Sequence, residues 1–196
     1  QHKATAFDGI ELSAYSFEQK KPSKKWLIAV HGYGKSASSM FPIAHPFYEA
    51  GFNVLLPECR GTGHSGGNCL GLGWLDRQDV VKWVFSILND CPDAQIALYG
   101  ISTGADAVLM ASGEELPANV RCIISDSAYA NLVDEYNYLL RKTKINSVLV
   151  AGFMTFSTSL ITSFRAGYTS KNASALQQVA RSKIPTLFLR GGSDTL

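Results

Sequence analysis

Gly100-Ile101-Ser102-Thr103-Gly104 is the stretch of sequence that decides the fold. It follows the apolar run Gln95–Tyr99 and precedes the helix-like run Ala105–Met110, so it predicts a serine at a turn between a buried strand and a helix. A serine on such a sharp turn projects its hydroxyl above the sheet, and flanking glycines give the backbone the freedom that the turn requires. The pattern predicts a nucleophile at Ser102. The alternative is a serine that only caps the helix.

Short apolar runs alternate with helical patterns along the rest of the chain. Strands are predicted at Ala4–Phe7, Leu12–Phe17, Trp26–Val30, Asn53–Leu56, Gln95–Tyr99, Val120–Ser125 and Thr186–Leu189. Helices are predicted near Ser39–Ala50, Leu75–Leu88 and Ala105–Ser112. Apolar strands separated by helices indicate a parallel sheet covered on both faces, and Asp8-Gly9 predicts an antiparallel hairpin at the start. The predicted fold class is therefore α/β.

Composition limits the classes of protein to which the chain can belong. With 196 residues, of which 46% are hydrophobic and 17% charged, it is predicted to be one globular domain, residues 1–196. The net charge is +2, and the basic residues form no stripe interleaved with aromatic residues, so nucleic-acid binding is not expected. The cysteines show no metal-ligand spacing, so we expect no metal and reduced thiols, with a Cys59–Cys69 bridge as the alternative in an exported protein.

Residues 127–183 interrupt the alternation of strands and helices, and we expect a helical, lid-like insertion over the carboxyl edge of the sheet. Its segment Ile145–Phe164 has no charge but holds too many serines and threonines for a membrane span, so it predicts a buried or lid helix. Because the chain begins at Gln1 and not at methionine, we expect that a segment upstream has been removed or omitted. Two locations are compatible with the sequence: the cytoplasm, or the bacterial cell surface with a membrane attachment upstream of Gln1. The sequence does not indicate the oligomeric state.

A second glycine-rich turn, His31-Gly32-Tyr33-Gly34, directly follows the predicted strand Trp26–Val30. Ligands of open α/β sheets bind beyond the carboxyl ends of the strands, where this turn and Ser102 are expected to meet. The backbone N–H groups of Tyr33 and Thr103 are therefore predicted to form an oxyanion hole. The alternative is a tight turn with a polar residue at the edge, and His31 itself is expected to be a scaffold residue.

With these motifs, the chain resembles the α/β-hydrolase superfamily over almost its whole length. The turn at His31–Gly34 matches the superfamily's oxyanion turn, Arg60–Gly67 looks like its R-G-x-G-x-S-x-G loop, and Gly100–Gly104 matches its nucleophile elbow. Arg190–Asp194 is similar to its acid loop. Met110–Gly113 and Ile123–Asp126 look like bacterial hydrolases labelled cell-surface or dienelactone-hydrolase-like.

The resemblance implies an α/β-hydrolase fold that lacks its C-terminal end, with Ser102 as nucleophile and Asp194 as the acid of a triad. It implies a serine hydrolase that acts on a small ester substrate and needs no cofactor. Phe153 and Met154 are the candidate lining of an apolar acyl pocket, with plain core packing as the alternative. A peptidase of the same superfamily is the enzymatic alternative.

The superfamily's base histidine lies downstream of the acid, whereas His2, His31, His45 and His64 all precede Asp194. We therefore expect the histidine to come from a segment beyond Leu196, with His64 as a weaker candidate. Two other acids are candidates. Asp126, at the end of a predicted strand, is the alternative acid or a turn cap, and Asp106 is a weaker candidate. The rival from another class is a non-catalytic binding module that has lost the histidine.

Overall fold

The strands that the structure describes form one sheet. They are β1 His2–Thr5, β2 Glu11–Phe17, β3 Lys25–Val30, β4 Asn53–Glu58, β5 Gln95–Ile101, β6 Val120–Asp126 and β7 Thr186–Leu189. Their order in the sheet is β1-β2-β4-β3-β5-β6-β7. The first two neighbouring pairs in this order are antiparallel, and the others are parallel. This computed structural model describes residues 1–131, 152, 153, 156, 157, 159, 160, 162–164, 167–169 and 172–192.

The N-terminal hairpin forms as predicted. Gly9 has a positive φ of 84°, which its lack of a Cβ permits, and the Ala6 N–H donates to the Ile10 carbonyl at 2.8 Å. β1 then pairs with β2 from His2 opposite Ala14 to Thr5 opposite Glu11. The hairpin lies at the edge of the sheet, far along it from the strand that precedes Ser102.

Helices cover both faces of the sheet. The helices described are α1 Phe41–Glu49, α2 Asp76–Asp90, α3 Thr103–Ala111 and the short α4 Ala175–Val179, with a 3-10 turn at Ala37–Met40. Side chains of α2 and α3 pack in one core cluster, and those of the 3-10 turn and α1 pack in another. Neighbours Leu27 and Ile28 of β3 are fully buried in opposite clusters. The predicted α/β class, with a covered parallel sheet, is confirmed.

The turn that contains Ser102 is tighter than the predicted boundaries implied. β5 continues to Ile101 and α3 begins at Thr103, so Ser102 is the single residue between them. β5 lies between β3 and β6, which places this turn at the carboxyl edge of the central parallel strands.

Part of the segment 127–183 is described. Asn131 and Ser174 form an isolated antiparallel bridge, and α4 then packs against α3. The apolar side chains described between residues 152 and 164 are exposed: Phe153, Phe156, Leu160 and Phe164. The segment was predicted to be a buried or lid helix, and with these four side chains exposed among the described residues, a lid stays a prediction. Within the described ranges, no helix has both the length and the apolar character needed to cross a membrane.

Candidate active site

Ser102 has a backbone conformation that non-glycine residues rarely adopt. Its φ is 52° and its ψ is −124°, its side chain is exposed, and that side chain makes no capping hydrogen bond to α3. Such a conformation costs on the order of 1–3 kcal/mol, which the surrounding structure must offset. The Ser102 N–H donates to the Asp126 carbonyl at 2.9 Å and so ties the turn to β6. Ser102 holds the N-cap position without capping, which speaks against the helix-cap alternative.

The glycines of the motif allow a close approach of α3 to the sheet. A Cβ at Gly104 would overlap the carbonyl oxygen of Val30, and a Cβ at Gly100 would overlap the carbonyl oxygen of Gly104. A Cβ at Gly32 would lie 3.1 Å from the Cβ of Ser102. The turn after β3 therefore packs directly against Ser102, as the sequence predicts.

Two unused backbone donors lie beside this turn. Among the residues that the structure describes, nothing accepts a hydrogen bond from the N–H of Tyr33 or of Thr103. Both residues border the same cavity of about 20 Å³. The Lys35 N–H donates to the Gly32 carbonyl at 3.2 Å and closes the turn that carries Tyr33. This arrangement has the donor groups that an oxyanion hole needs.

His31 is a buried scaffold residue. The Cys59 N–H donates to its Nε2 at 3.1 Å, so Nδ1 carries the proton and donates to the Gly32 carbonyl at 2.9 Å. Burial lowers the pKa of His31, which favours the neutral imidazole. Both ring nitrogens are thus engaged inside the protein, and His31 holds the turn of Tyr33 in place.

Arg60 anchors the loop that follows β4. Its Nε and Nη2 donate to the two carboxyl oxygens of Asp79 at 2.9 and 2.7 Å, and its Nη1 donates to Asp8 at 2.7 Å. The guanidinium carbon also lies 5.5 Å from the centre of the Phe7 ring. Burial raises the pKa of Asp79 to about 6, although Arg60 opposes that shift. From sequence, Asp76 and Asp79 at the start of α2 are expected to be structural, but the pairing of Asp79 with Arg60 was not predicted.

None of the four histidines hydrogen-bonds to Ser102. The exposed His64 lies with its Nδ1 3.2 Å from a carboxyl oxygen of the buried Glu58. His2 is bonded within the edge hairpin, and His45 lies on α1 next to Glu49. His64 is therefore held on the loop after β4 by a partner other than Ser102.

Asp126, at the carboxyl end of β6, has both carboxyl oxygens engaged. One accepts a hydrogen bond from the Tyr99 hydroxyl at 2.9 Å, and the other accepts one from the Ser127 hydroxyl at 3.0 Å. Burial, together with this carboxylate, raises the pKa of Tyr99 to about 12. Asp126 thus supports its own turn, which is one of the two roles that the sequence left open.

The Tyr99–Asp126 hydrogen bond predicts a specific pH dependence of stability. At pH 7, Tyr99→Phe is expected to lower the free energy of unfolding by about 1.5 kcal/mol, because a hydrogen bond to a charged group is lost. The folded pKa is raised above the ordinary value of 10, so the hydroxyl's contribution is present below pH 10 and is lost as the pH rises towards 12. Urea unfolding from pH 7 to 11 should show the gap between wild type and variant shrinking above pH 10.

Ser23→Ala is the matched control, because the Ser23 hydroxyl donates to the Gly51 carbonyl at 2.7 Å and a serine hydroxyl does not ionise over this pH range. The difference in the free energy of unfolding between this variant and the wild type should stay constant over the same pH range. A constant gap for Tyr99→Phe as well would contradict the prediction.

Two further acids are buried around the site. Asp76 accepts a hydrogen bond from the Gly73 N–H at 2.9 Å, and its other carboxyl oxygen has no partner in the described part of the chain. Burial raises the pKa of Asp76, which borders the small cavity beside Thr103. Asp106, fully buried, accepts a hydrogen bond from the Tyr129 N–H at 3.0 Å. Both acids hold loops around the turn of Ser102.

The structure brings together Ser102, Tyr33 and Thr103 of the residues predicted from sequence. Asp194 and Met154 lie outside the described residues, and Phe153 is exposed, so their roles stay predictions. All four cysteines, Cys59 and Cys69 included, are free thiols. Within the described ranges, no three histidine, cysteine, aspartate or glutamate side chains come together as a metal site.

Sequence comparisons give both a family and relatives. Residues 21–173 match the family model Hydrolase_4, described as serine aminopeptidase, S33. The uncharacterized protein YqkD of Bacillus subtilis is 26% identical over 203 residues, which cover 99% of this chain and 64% of YqkD. YfhR of Escherichia coli K12 is 27% identical over 140 residues, which cover 69% of this chain and 49% of YfhR. The chain therefore spans about half to two thirds of the length of these curated relatives.

Solved structures share the fold. The Pyrococcus furiosus esterase Pf2001 superposes with a TM-score of 0.71 at 22% identity, over 95% of this chain and 68% of that protein. Acetyl xylan esterase 1 from Thermoanaerobacterium superposes with a TM-score of 0.66 at 19% identity, over 95% of this chain and 65% of that protein. The sheet, the sharp turn at Ser102 and the match of the family model over most of the chain agree: this chain is an α/β hydrolase of the Hydrolase_4 (serine aminopeptidase, S33) family.

Proposed function

We propose that this protein is a serine hydrolase that cleaves carboxylic esters through an acyl-enzyme. The observation that carries the proposal is the strained backbone of Ser102, with φ 52° and an exposed side chain at the carboxyl edge of the sheet. A conformation that costs stability and serves no helix cap is explained by the exposed hydroxyl that it presents.

The proposed reaction is acyl transfer to water. The Ser102 Oγ attacks the ester carbonyl carbon while a histidine takes the hydroxyl proton, and the carbonyl oxygen becomes an oxyanion. The free N–H groups of Tyr33 and Thr103 donate hydrogen bonds to that oxyanion. The histidine returns the proton to the departing alkoxide, which leaves as an alcohol. Water then attacks the acyl-serine by the same route and releases the carboxylic acid and free Ser102.

Two members of the proposed machinery lie outside the described residues. Asp194, matched by its place after β7, orients the histidine in this proposal. The histidine itself is proposed to come from outside the 196 residues, because His2, His31, His45 and His64 all have other places in the fold.

Ester hydrolysis is favoured over aminopeptidase activity by the acids around the site. An aminopeptidase must hold the terminal ammonium group of its substrate, and an accessible carboxylate is the ordinary partner for that charge. The described acids around the turn of Ser102 are Asp76, Asp106 and Asp126. The first two are buried, and both carboxyl oxygens of Asp126 accept hydrogen bonds from protein hydroxyls. Two of the structural neighbours are also named esterases.

The proposal is tested by labelling the full-length protein with a fluorophosphonate and measuring its intact mass. We expect one adduct, located at Ser102 by peptide mapping, and faster turnover of p-nitrophenyl esters than of aminoacyl p-nitroanilides. Faster turnover of the anilides would favour the peptidase. A folded protein that takes no adduct would favour the non-catalytic binding module.

A single methyl group should test the packing of the oxyanion turn. In Gly32→Ala the new Cβ lies 3.1 Å from both the Ile101 carbonyl oxygen and the Ser102 Cβ, so the turn must shift by a few tenths of an ångström. We expect kcat for ester hydrolysis to fall about tenfold, because such displacements misalign donors and nucleophile. Gly152→Ala, where an added Cβ meets nothing within 4 Å, is the control and should leave kcat unchanged. Equal activities of the two variants would contradict the prediction.

A further inference from the structure

The loop before α2 forms one wall of the small cavity beside Thr103. We call residues 70–73 the wall loop. Three of its residues border this cavity of about 20 Å³, namely Leu70, Gly71 and Leu72. The same cavity is bordered by Tyr33 and Thr103, whose N–H groups are the proposed oxyanion donors. The position of the wall loop therefore helps to set the shape of the space in which an oxyanion would form.

The wall loop contains a strained residue. Leu72 has a φ of 48°, and in the described part of the chain only two other non-glycine residues, Ser102 and Ser127, have a positive φ. Such a conformation is an outlier for a bulky side chain. It persists only where the surrounding structure holds it, and such residues cluster at functional sites. Contacts from outside the wall loop must therefore hold Leu72 in place.

The wall loop packs directly on α2 and α3. The Gly73 N–H donates to the Asp76 carboxylate on α2 at 2.9 Å, and a Cβ at Gly71 would overlap that carboxylate. A Cβ at Gly73 would lie 2.9 Å from the Cβ of Asp106 on α3. The first residue of α3 is Thr103, so a shift of the wall loop acts on the helix that carries one of the two proposed donors.

Two tyrosines outside the wall loop bond to neighbouring carbonyl groups in it. The Tyr129 hydroxyl donates to the Leu72 carbonyl at 2.7 Å, and the Tyr168 hydroxyl donates to the Gly71 carbonyl at 3.2 Å. The Tyr129 N–H also donates to Asp106 at 3.0 Å. Tyr129 is thus bonded both to the strained residue of the wall loop and to α3. Neither tyrosine borders the cavity, so each acts on it through the wall loop.

We propose that Tyr129 and Tyr168 are positioning residues of the active site, which hold the wall loop against the first turn of α3. This inference rests on the proposed function, because it assigns the two hydroxyls an indirect part in stabilising the oxyanion. Without the Tyr129 hydroxyl, Leu72 can relax towards an ordinary φ, which turns its carbonyl group and moves the wall of the cavity. The Thr103 donor and the nucleophile then lose their alignment.

The test is the steady-state hydrolysis of p-nitrophenyl esters by the full-length protein, with the working sites counted by fluorophosphonate titration. Tyr129→Phe/Tyr168→Phe should lower kcat per titrated site about tenfold and leave KM nearly unchanged, because misaligned donors weaken the transition state more than the bound ester. A merely structural role would reduce the number of working sites and leave kcat per site as it was. Of the single variants, Tyr129→Phe should have the larger effect, since its hydroxyl bonds to the strained Leu72.

Tyr48→Phe is the matched control. It removes a tyrosine hydroxyl that also donates to a backbone carbonyl, that of Glu18, but it lies on α1 and does not border the cavity. It should leave kcat per site unchanged. Hydrogen exchange followed by mass spectrometry gives a readout that does not depend on activity. Amides of residues 71–75 should exchange at least about fivefold faster in the double variant and at the wild-type rate in Tyr48→Phe.

The possible outcomes separate this inference from the proposed function. A wild type that hydrolyses no ester would overturn both. An active wild type whose double variant keeps its kcat per site would overturn the inference alone, and faster exchange in the wall loop would then mean that the tyrosines are only structural. A fall in kcat per site of the same size in Tyr48→Phe would also overturn it, because the effect would not pass through the wall loop.

Discussion

Replacing Ser102 by alanine is expected to lower kcat for ester hydrolysis by about 10⁴- to 10⁶-fold, the loss that removal of a triad nucleophile typically causes. The exposed hydroxyl at the turn between β5 and α3 is the proposed attacking group, and none of the residues described replaces it there. KM should change little, because the hydroxyl contributes to the transition state and not to the binding of the ester group. The measurement is the steady-state hydrolysis of p-nitrophenyl esters, together with fluorophosphonate labelling.

Ser86→Ala is the matched control for this prediction. Ser86 lies on α2 and borders a groove lined by Trp26 and Asn53 at the amino end of the parallel strands, so its loss should leave both kcat and the adduct unchanged. Ser102→Ala should remain folded, because the Ser102 side chain makes no hydrogen bond to α3. Full activity in a folded Ser102→Ala protein would remove Ser102 from the mechanism.

The fold was predictable from sequence because strands buried on both faces must be apolar throughout. Trp26–Val30 is such a run, and β3 occupies it almost residue for residue. The boundary at Leu56 was less predictable. Pro57 ordinarily interrupts a strand, yet β4 continues to Glu58 with Pro57 opposite Ala14 of β2. Local sequence does not reveal which positions of a strand tolerate proline, which has no backbone N–H to donate to the neighbouring strand.

The turn of Ser102 was predictable for a different physical reason. Only glycine fits at positions 100 and 104, where the first turn of α3 meets the carbonyl groups of the sheet. The two glycines of the motif therefore indicate this close packing in the sequence. The sequence contains no comparable signal for the hydrogen-bond partners of Asp126. Tyr99 lies 27 residues away in sequence, and its hydrogen bond to Asp126 exists only because β5 and β6 are adjacent.

The exposed apolar side chains between residues 152 and 164 show the limit of reasoning from hydrophobicity. Phe153 and its neighbours were expected to be buried or part of a lid because burial is the ordinary fate of phenylalanine and leucine. Periodicity identifies one apolar side of a helix but does not say whether that side faces the core or solvent. In the described part of this segment, the structure leaves Phe153, Phe156, Leu160 and Phe164 exposed.

Breaking the buried ion pair of Arg60 should have the largest effect on stability. The side chains of Arg60 and Asp79 are 1% and 8% exposed, and Arg60→Met leaves the Asp79 carboxylate buried without its cation. We expect the free energy of unfolding to fall by about 3–5 kcal/mol, measured by urea denaturation. Asp8→Asn should cost no more than about 1 kcal/mol, because Arg60 keeps Asp79 as its counterion, the amide oxygen of asparagine can still accept from Nη1, and position 8 is 32% exposed.

The double variant Arg60→Met/Asp79→Leu decides whether the cost comes from the unpaired charge or from the lost packing. Apolar residues of similar size leave no buried charge, and such replacements of a buried ion pair are often neutral or stabilising. We therefore expect the double variant to be more stable than Arg60→Met alone, with the two single costs failing to add by at least about 2 kcal/mol. Additive losses would instead mean that the loop from Arg60 to Gly67 depends on the arginine through its packing against Phe7 and the hairpin.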